Sequence, residues 1–275
     1  MKHAALCLTL RELVGRKDPL LFLDTHAGAG RFRLTDPTGE WVQGIGRILS
    51  RSAQRRLPEL STYLSCLGVE DGHLEEYLGS PALAQAILRE DDRLELFELN
   101  PQDRARLEAS LAPAQDRRVA IYGEDGYAGL ARAEVREPTR LVALIDPPFE
   151  APDEWDAIDR AVTRAAVKRP SAVMLLWYPL KAGPPHEGRA DGLRQSLERS
   201  RVRAISVEAR IRGGLLKPRT TQPRVRGALT GTGLILINVP SRAVARLAAV
   251  LPELTRSLSR PEDGFGWEIA WAGWG

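Results

Sequence analysis

Residues 141–149 read LVALIDPPF: five apolar residues, then an aspartate, two prolines and an aromatic ring. A short, continuous apolar run of this kind suits a strand buried on both faces. Two prolines fix φ and stiffen the turn that follows. A stiff turn can hold the Asp146 carboxylate and the Pro147 carbonyl as paired acceptors, with Pro148 completing the turn. An exocyclic amine offers two N–H donors to such a pair. The ring of Phe149 then stacks on the base carrying that amine, a contact of about 1–3 kcal/mol per base. The competing reading of these four residues is a purely structural strand-to-helix turn.

A second apolar run, LLFL at 20–23, leads straight into Asp24-Thr25-His26-Ala27-Gly28-Ala29-Gly30. Glycines there let the backbone turn tightly and come close to a ligand. The D-x-x-x-G-x-G form resembles the first motif of class I S-adenosylmethionine-dependent methyltransferases, whose loop lies beside the amino-acid part of the cofactor. The dinucleotide pattern G-x-G-x-x-G is incomplete, because Phe32 and Arg33 stand in the region of the third glycine. A nicotinamide dehydrogenase is therefore a poor fit. An acidic residue closing the next strand should hold ribose hydroxyls. The candidate is Glu98, 68 positions after Gly30, a gap explained if residues 46–78 form a helical insertion. Asn100-Pro101 follows it as a helix start, so Glu98 could equally be a mere neighbour of that cap.

The aspartate-proline-proline-aromatic turn is similar to that of amino-methyltransferases with a (D/N/S)-P-P-(Y/F/W) motif. In them the paired acceptors localise the nitrogen lone pair for in-line attack on the sulfonium methyl, and the surplus proton leaves afterwards through the carboxylate or water. The aspartate form points to adenine N6, and no metal is implied.

Elements must carry these residues to one place. Helical patterns cover 3–15, 82–89, 101–111, 127–135, 154–168, 189–199 and 242–258. Strand patterns cover 20–23, 94–99, 118–122, 141–145, 172–177, 203–211, 233–239 and 267–272. Strands that alternate with helices predict a doubly wound α/β sheet. The chain has 275 residues, enough for one large core or two modest ones. It has no apolar run long enough to cross a membrane. Its N-terminus reads as an amphipathic helix rather than a signal peptide. Cys7 and Cys66 can make one bridge at most, so a reducing cytoplasm is the default. The net charge of +3 hides an asymmetry. Residues 201–242 hold nine basic residues and one acidic residue, Glu208, a local +8 that leaves −5 elsewhere. Such a block suits a phosphate-contacting surface. With 34 Arg and 5 Lys in the chain, it also suits an ordinary solvated face.

LFLDTHAGAGRF (21–32), GSP (79–81), LFELNP (96–101), EDGY (124–127), LIDPPFE (144–150), LLWYP (175–179) and GLILINVP (233–240) occur in that order. Together they closely resemble the RlmJ family of bacterial 23S rRNA adenine-N6 methyltransferases, over about residues 2–275. The resemblance implies a Rossmann-like class I core at 1–45 and 79–275, with a mostly parallel seven-stranded sheet, and a small helical insertion at 46–78. It implies a cytoplasmic monomer acting on naked or partly assembled 23S rRNA. The cofactor would be S-adenosylmethionine, leaving as S-adenosylhomocysteine. Its contacts would fall on His3, Asp24, His26, Gly28, Gly30, Ser80, Glu98, Asp125, Gly126 and Asp146. Asp125 would take the cofactor's adenine amine, and the rings of His3 and His26 its methionine carboxylate. Read alone, His3 would be surface decoration on a terminal helix. Substrate contacts would fall on Lys2, Phe149, Arg212, Lys217, Arg219, Arg224 and Arg226.

Members of the family usually carry a longer leader ahead of the Lys2-His3 pair, with a tyrosine and basic residues near the target adenine. A chain lacking it is expected to bind cofactor weakly and turn over poorly. Two other functions fit parts of the pattern. One is a DNA adenine methyltransferase, although no large target-recognition region is evident. The other is a non-catalytic RNA-binding assembly factor, although the glycine loop and the Asp146 turn are intact.

Overall fold

The computed structural model describes residues 1–34, 42, 44–54, 60–69, 74–112, 115–181, 188–210, 229–259 and 266–272. Its first half runs α1 (Lys2–Leu13), β1 (Leu20–Asp24), β2 (Arg31–Arg33), α2 (Ile45–Gln54), α3 (Ser61–Cys66), β3 (Glu76–Leu78), α4 (Ser80–Ile87), β4 (Arg93–Phe97), α5 (Pro101–Leu111) and β5 (Val119–Tyr122). The second half runs α6 (Gly126–Arg132), β6 (Arg140–Ile145), α7 (Glu154–Lys168), β7 (Val173–Lys181), α8 (Arg189–Arg199), β8 (Ala204–Arg210), β9 (Leu229–Ile237), α9 (Ser241–Leu258) and β10 (Gly266–Ala272). No helix of the described residues is long and apolar enough to cross a membrane.

One sheet joins eight strands in the order β10-β8-β9-β7-β6-β1-β4-β5. The strands from β7 through β6, β1 and β4 to β5 are parallel. β9 runs antiparallel between β7 and β8, and β10 lies antiparallel along β8. The expected seven strands are thus corrected to eight. β10 pairs with β8 over seven residues and covers what would be an open edge.

Successive strand residues alternate between two cores, as the two-residue period of a strand requires. Leu20 and Phe22 of β1 enter one core, with residues of α1, α4, α5 and α9. Leu21 and Leu23 enter the other, with α6, α7 and α8. Helix α1 departs from the expected amphipathic pattern, because nine of its twelve residues are buried. It packs against α3, α4 and α9, so little of its surface meets water. Burial on nearly every side anchors its first residues firmly.

Within 46–78 the described residues form α2, α3 and β3. β3 is a strand where a helix was expected. It pairs antiparallel with β2, placing Phe32 opposite Tyr77, and three residues are too few for a sequence period to register. Cys7 of α1 and Cys66 of α3 are joined by a disulfide, with Cα atoms 6.7 Å apart. The one bridge that two cysteines allow is therefore made, in contrast to the reduced thiols a cytoplasmic chain carries by default.

Candidate active site

Four carboxylates stand at the C-terminal ends of four adjacent parallel strands. Asp24 closes β1, while Glu98, Asp125 and Asp146 follow β4, β5 and β6. Sequential connections leave β1 in opposite directions on either side of the β1–β6 pair. That makes this edge the topological switch point, where open α/β sheets bind ligands.

The glycine loop is shaped by close contacts. Gly30 has φ of +78°, and a Cβ there would lie 2.4 Å from Ser110 Oγ. A Cβ on Gly126 would lie 2.0 Å from the Thr25 carbonyl oxygen, so α6 starts hard against the loop. The Gly79 amide donates to the Gly30 carbonyl at 2.8 Å, bringing Ser80 alongside. Glu98 ties the loop to β4: Oε2 accepts from the Gly28 amide and Oε1 from the Asn100 amide, each at 2.8 Å. Each oxygen keeps a lone pair for a further donor. Asn100 caps α5 as its sequence predicts, accepting from the amides of Gln102 and Asp103. Asp125 caps α6, with Oδ1 accepting from the Tyr127 amide at 2.9 Å.

Asp24 is fully buried. Its Oδ1 accepts from the His26 amide at 3.2 Å. Its Oδ2 has no hydrogen-bond partner among the described residues. Burial pushes its pKa up to about 6, and the neighbouring Asp146 adds to that, while Ser80, Lys2 and the His26 amide pull it back down. A buried carboxylate with an open oxygen fits an ammonium group. With the loop glycines and Glu98 alongside, the residues present fit an α-amino acid joined to a ribose, as in S-adenosylmethionine.

His26 is held between two neighbours. Its Nδ1 is 2.8 Å from Thr25 Oγ1, and its ring meets that of Tyr127 edge-on at 5.2 Å. Burial lowers its pKa to about 4, so the ring is neutral at physiological pH. The Tyr127 hydroxyl in turn donates to Glu154 Oε1 at 2.5 Å, fixing the start of α7.

Buried α1 delivers Lys2 and His3 to the same edge. The Lys2 ammonium donates to Asp146 Oδ2 and lies 6.0 Å from the centre of the Trp177 ring. An N–H donor from the chain itself thus sits on the oxygen that the sequence assigns to a substrate amine. Burial raises the Asp146 pKa and the Lys2 charge opposes the rise. His3 Nδ1 is 2.5 Å from the Tyr77 hydroxyl, which is 3.1 Å from the Tyr63 hydroxyl. Burial and the Lys2 charge hold His3 well below its usual pKa. His3 is therefore neutral, and its Nδ1 and the two tyrosine hydroxyls form one hydrogen-bonded chain. Far from decorating the surface, His3 is only 9% exposed.

The turn after β6 departs from expectation at its aromatic residue. Pro147 is buried and Pro148 exposed. Phe149 adopts φ of +55°, a left-handed conformation costly for a bulky side chain. Its ring is 4% exposed and packs at 5.0 Å from Trp155 and 5.9 Å from Trp177. Phe149 does not present the open face anticipated for stacking, because the aromatic cluster covers it.

Arg212, Lys217, Arg219, Arg224 and Arg226 lie outside the described residues. Sequence reasoning missed Tyr63, Tyr77, Tyr127 and Trp177 as contributors to the site. Tyr127 and Trp177 stand inside the EDGY and LLWYP motifs, and Tyr77 two residues before GSP. Tyr63 carries no signal in its local sequence.

A family model described as "Ribosomal RNA large subunit methyltransferase D, RlmJ" matches residues 17–273. The chain is 30% identical to "Ribosomal RNA large subunit methyltransferase J" of Haemophilus influenzae, covering 98% of this chain and 93% of that one. It is 31% identical to the protein of the same name from Escherichia coli, over 94% and 89% of the two chains. A crystal structure of a Legionella pneumophila protein superposes with a TM-score of 0.81 at 26% identity, over 99% of this chain and 95% of that one.

Proposed function

This chain belongs to the RlmJ family of ribosomal RNA large subunit methyltransferases, and we propose that it methylates the N6 amine of one adenine in 23S rRNA. It is an S-adenosylmethionine-dependent rRNA methyltransferase. The single observation that carries the choice of an amine is the Asp146-Pro147-Pro148-Phe149 turn, whose Asp146 already accepts an N–H from Lys2 at the ligand-binding edge of the sheet.

When bound, S-adenosylmethionine supplies a methyl group already activated on a sulfonium. The protein's own part is to bind, orient and handle protons. The Asp24 carboxylate and the His3 ring take the charged amino-acid end. Glu98 takes the ribose hydroxyls, and Asp125 the cofactor's adenine amine. His26, the loop glycines, Ser80 and Gly126 shape the cradle. Asp146 and the Pro147 carbonyl accept the two N–H bonds of the substrate amine, displacing Lys2 from Oδ2. Asp146 or a water next to it then receives the surplus proton. Lys2 stays beside the target and limits the negative charge there. Phe149 supports the base through its contacts with Trp155 and Trp177.

The product is S-adenosylhomocysteine. The substrate is naked or partly assembled 23S rRNA, met by a cytoplasmic monomer with a core at 1–45 and 79–275 and an insertion at 46–78. Arg212, Lys217, Arg219, Arg224 and Arg226 add phosphate contacts. A DNA target is not favoured, since the relatives' names are those of rRNA enzymes.

The test is tritiated methyl transfer to protein-free 23S rRNA and to DNA, by the native chain and by Asp146→Ala. Native protein should label only the RNA, at adenine N6. The variant should bind cofactor and label nothing. Retained activity in the variant, or label in DNA alone, would overturn the reading.

A further inference from the structure

Away from the catalytic edge, a groove of about 600 Å³ runs between α7 and α8. Arg160, Arg164 and Lys168 line it from α7, and Arg199 faces them from α8. The three α7 residues recur every four positions, so they form one stripe with a rise of about 6 Å between neighbours. That is comparable to the spacing of successive phosphates along an RNA strand. All four cations are exposed.

What they share is the want of a carboxylate partner, although Lys168 donates to the Ala131 carbonyl at 3.4 Å and Arg199 to Ser196 Oγ at 3.0 Å. Many arginines of this chain are neutralised: Arg89 pairs with Asp92, Arg118 with Asp116, Arg132 with Glu124, and Arg210 with Glu208. Among the described residues, no carboxylate lies within 4.0 Å of Arg160, Arg164, Lys168 or Arg199. Asp159 is the groove's own carboxylate. It is occupied by the Thr163 hydroxyl at 2.9 Å and the Ser196 hydroxyl at 2.8 Å. Val167, 55% exposed, offers an apolar patch between Arg164 and Lys168 on which a sugar can rest.

The groove also leads away from the reaction centre. Helix α7 starts five residues after Phe149. At 1.5 Å per residue, Arg160 lies about 9 Å and Lys168 about 21 Å along the axis from that start. From this groove lined by exposed cations without a carboxylate partner we infer that the α7–α8 surface is an RNA-docking surface. It holds the phosphate backbone of RNA flanking the target adenine. The inference rests on the rRNA reading above and names where the substrate's flanking segment sits.

Charge reversal at two exposed positions, Arg160→Glu with Arg164→Glu, tests it. Fluorescence anisotropy measures RNA binding as salt is varied, and methyl transfer is followed on a long 23S fragment and on a short oligonucleotide around the target. The variant should bind the long fragment roughly tenfold or more weakly, with a salt slope reduced by about two. KM for the long fragment should rise while kcat, cofactor binding and the short oligonucleotide's kinetics hold. Unchanged affinity and slope would overturn the inference, as would equal losses on both RNAs or competition by polyglutamate as effective as by RNA. Should native protein bind RNA through the groove yet transfer no methyl to any rRNA, the functional reading fails and the docking surface stands.

Discussion

Asp24 allows the buried centre of the site to be measured without turnover. Its carboxyl is fully buried with one oxygen unpartnered, and its pKa is raised from 3.8 to about 6. The folded state therefore holds this proton more tightly than the unfolded chain does. Stability from this group is complete below about pH 4, falls as pH rises to about 6 and is level above. A shift of that size corresponds to about 3 kcal/mol, and roughly half of it is lost between pH 5 and pH 8. Asp24→Asn cannot ionise, so urea unfolding of both proteins at fixed ionic strength isolates the effect. The variant should gain about 1–2 kcal/mol relative to the native chain from pH 5 to pH 8. On the proposed reading, cofactor binding brings an ammonium to the open oxygen and favours the carboxylate. Calorimetry in buffers of different ionisation enthalpy should then register proton release on binding near pH 5 and none at pH 8. The variant should release none at either pH and bind about tenfold or more weakly, the loss of one charge-assisted bond. A stability difference that stays constant with pH would refute the reasoning, because it would mean that burial does not raise the Asp24 pKa.

The tyrosine pair gives a second prediction: Tyr77→Phe leaves the Tyr63 hydroxyl and His3 Nδ1 without their partner, at about 1–3 kcal/mol. KM for S-adenosylmethionine should rise more than kcat falls and the pH profile should move, while Tyr63→Phe, one bond further out, does less. Gly126→Ala drives a Cβ to 2.0 Å from the Thr25 carbonyl and should cost about 1–3 kcal/mol as an overpacked contact, read as a lower melting temperature with weaker cofactor binding. For the cysteines, thiol titration should find no free thiol until reductant is added and two afterwards. Closure of the loop between Cys7 and Cys66, 59 positions apart, predicts that Cys7→Ser lowers unfolding free energy by about 4 kcal/mol.

The alternation of strands and helices, and the carboxylates at the C-terminal ends of the strands, can be read from local sequence. Helices α5, α7 and α8 occupy the residues their patterns predict, because caps, prolines and apolar spacing act within a few residues of chain. Asp24, Glu98, Asp125 and Asp146 were legible for the same reason, each ending or following a recognisable apolar strand or motif. Tertiary structure alone decided which distant residues meet. Lys2 reaches Asp146 across 144 positions, and Tyr63 reaches His3 through Tyr77. Phe149 turns under Trp155 and Trp177 instead of opening toward a base. β10 extends the sheet to eight strands by pairing at its edge. These contacts follow from sheet order and from the burial of α1, and local propensity, which knows only near neighbours along the chain, contains neither.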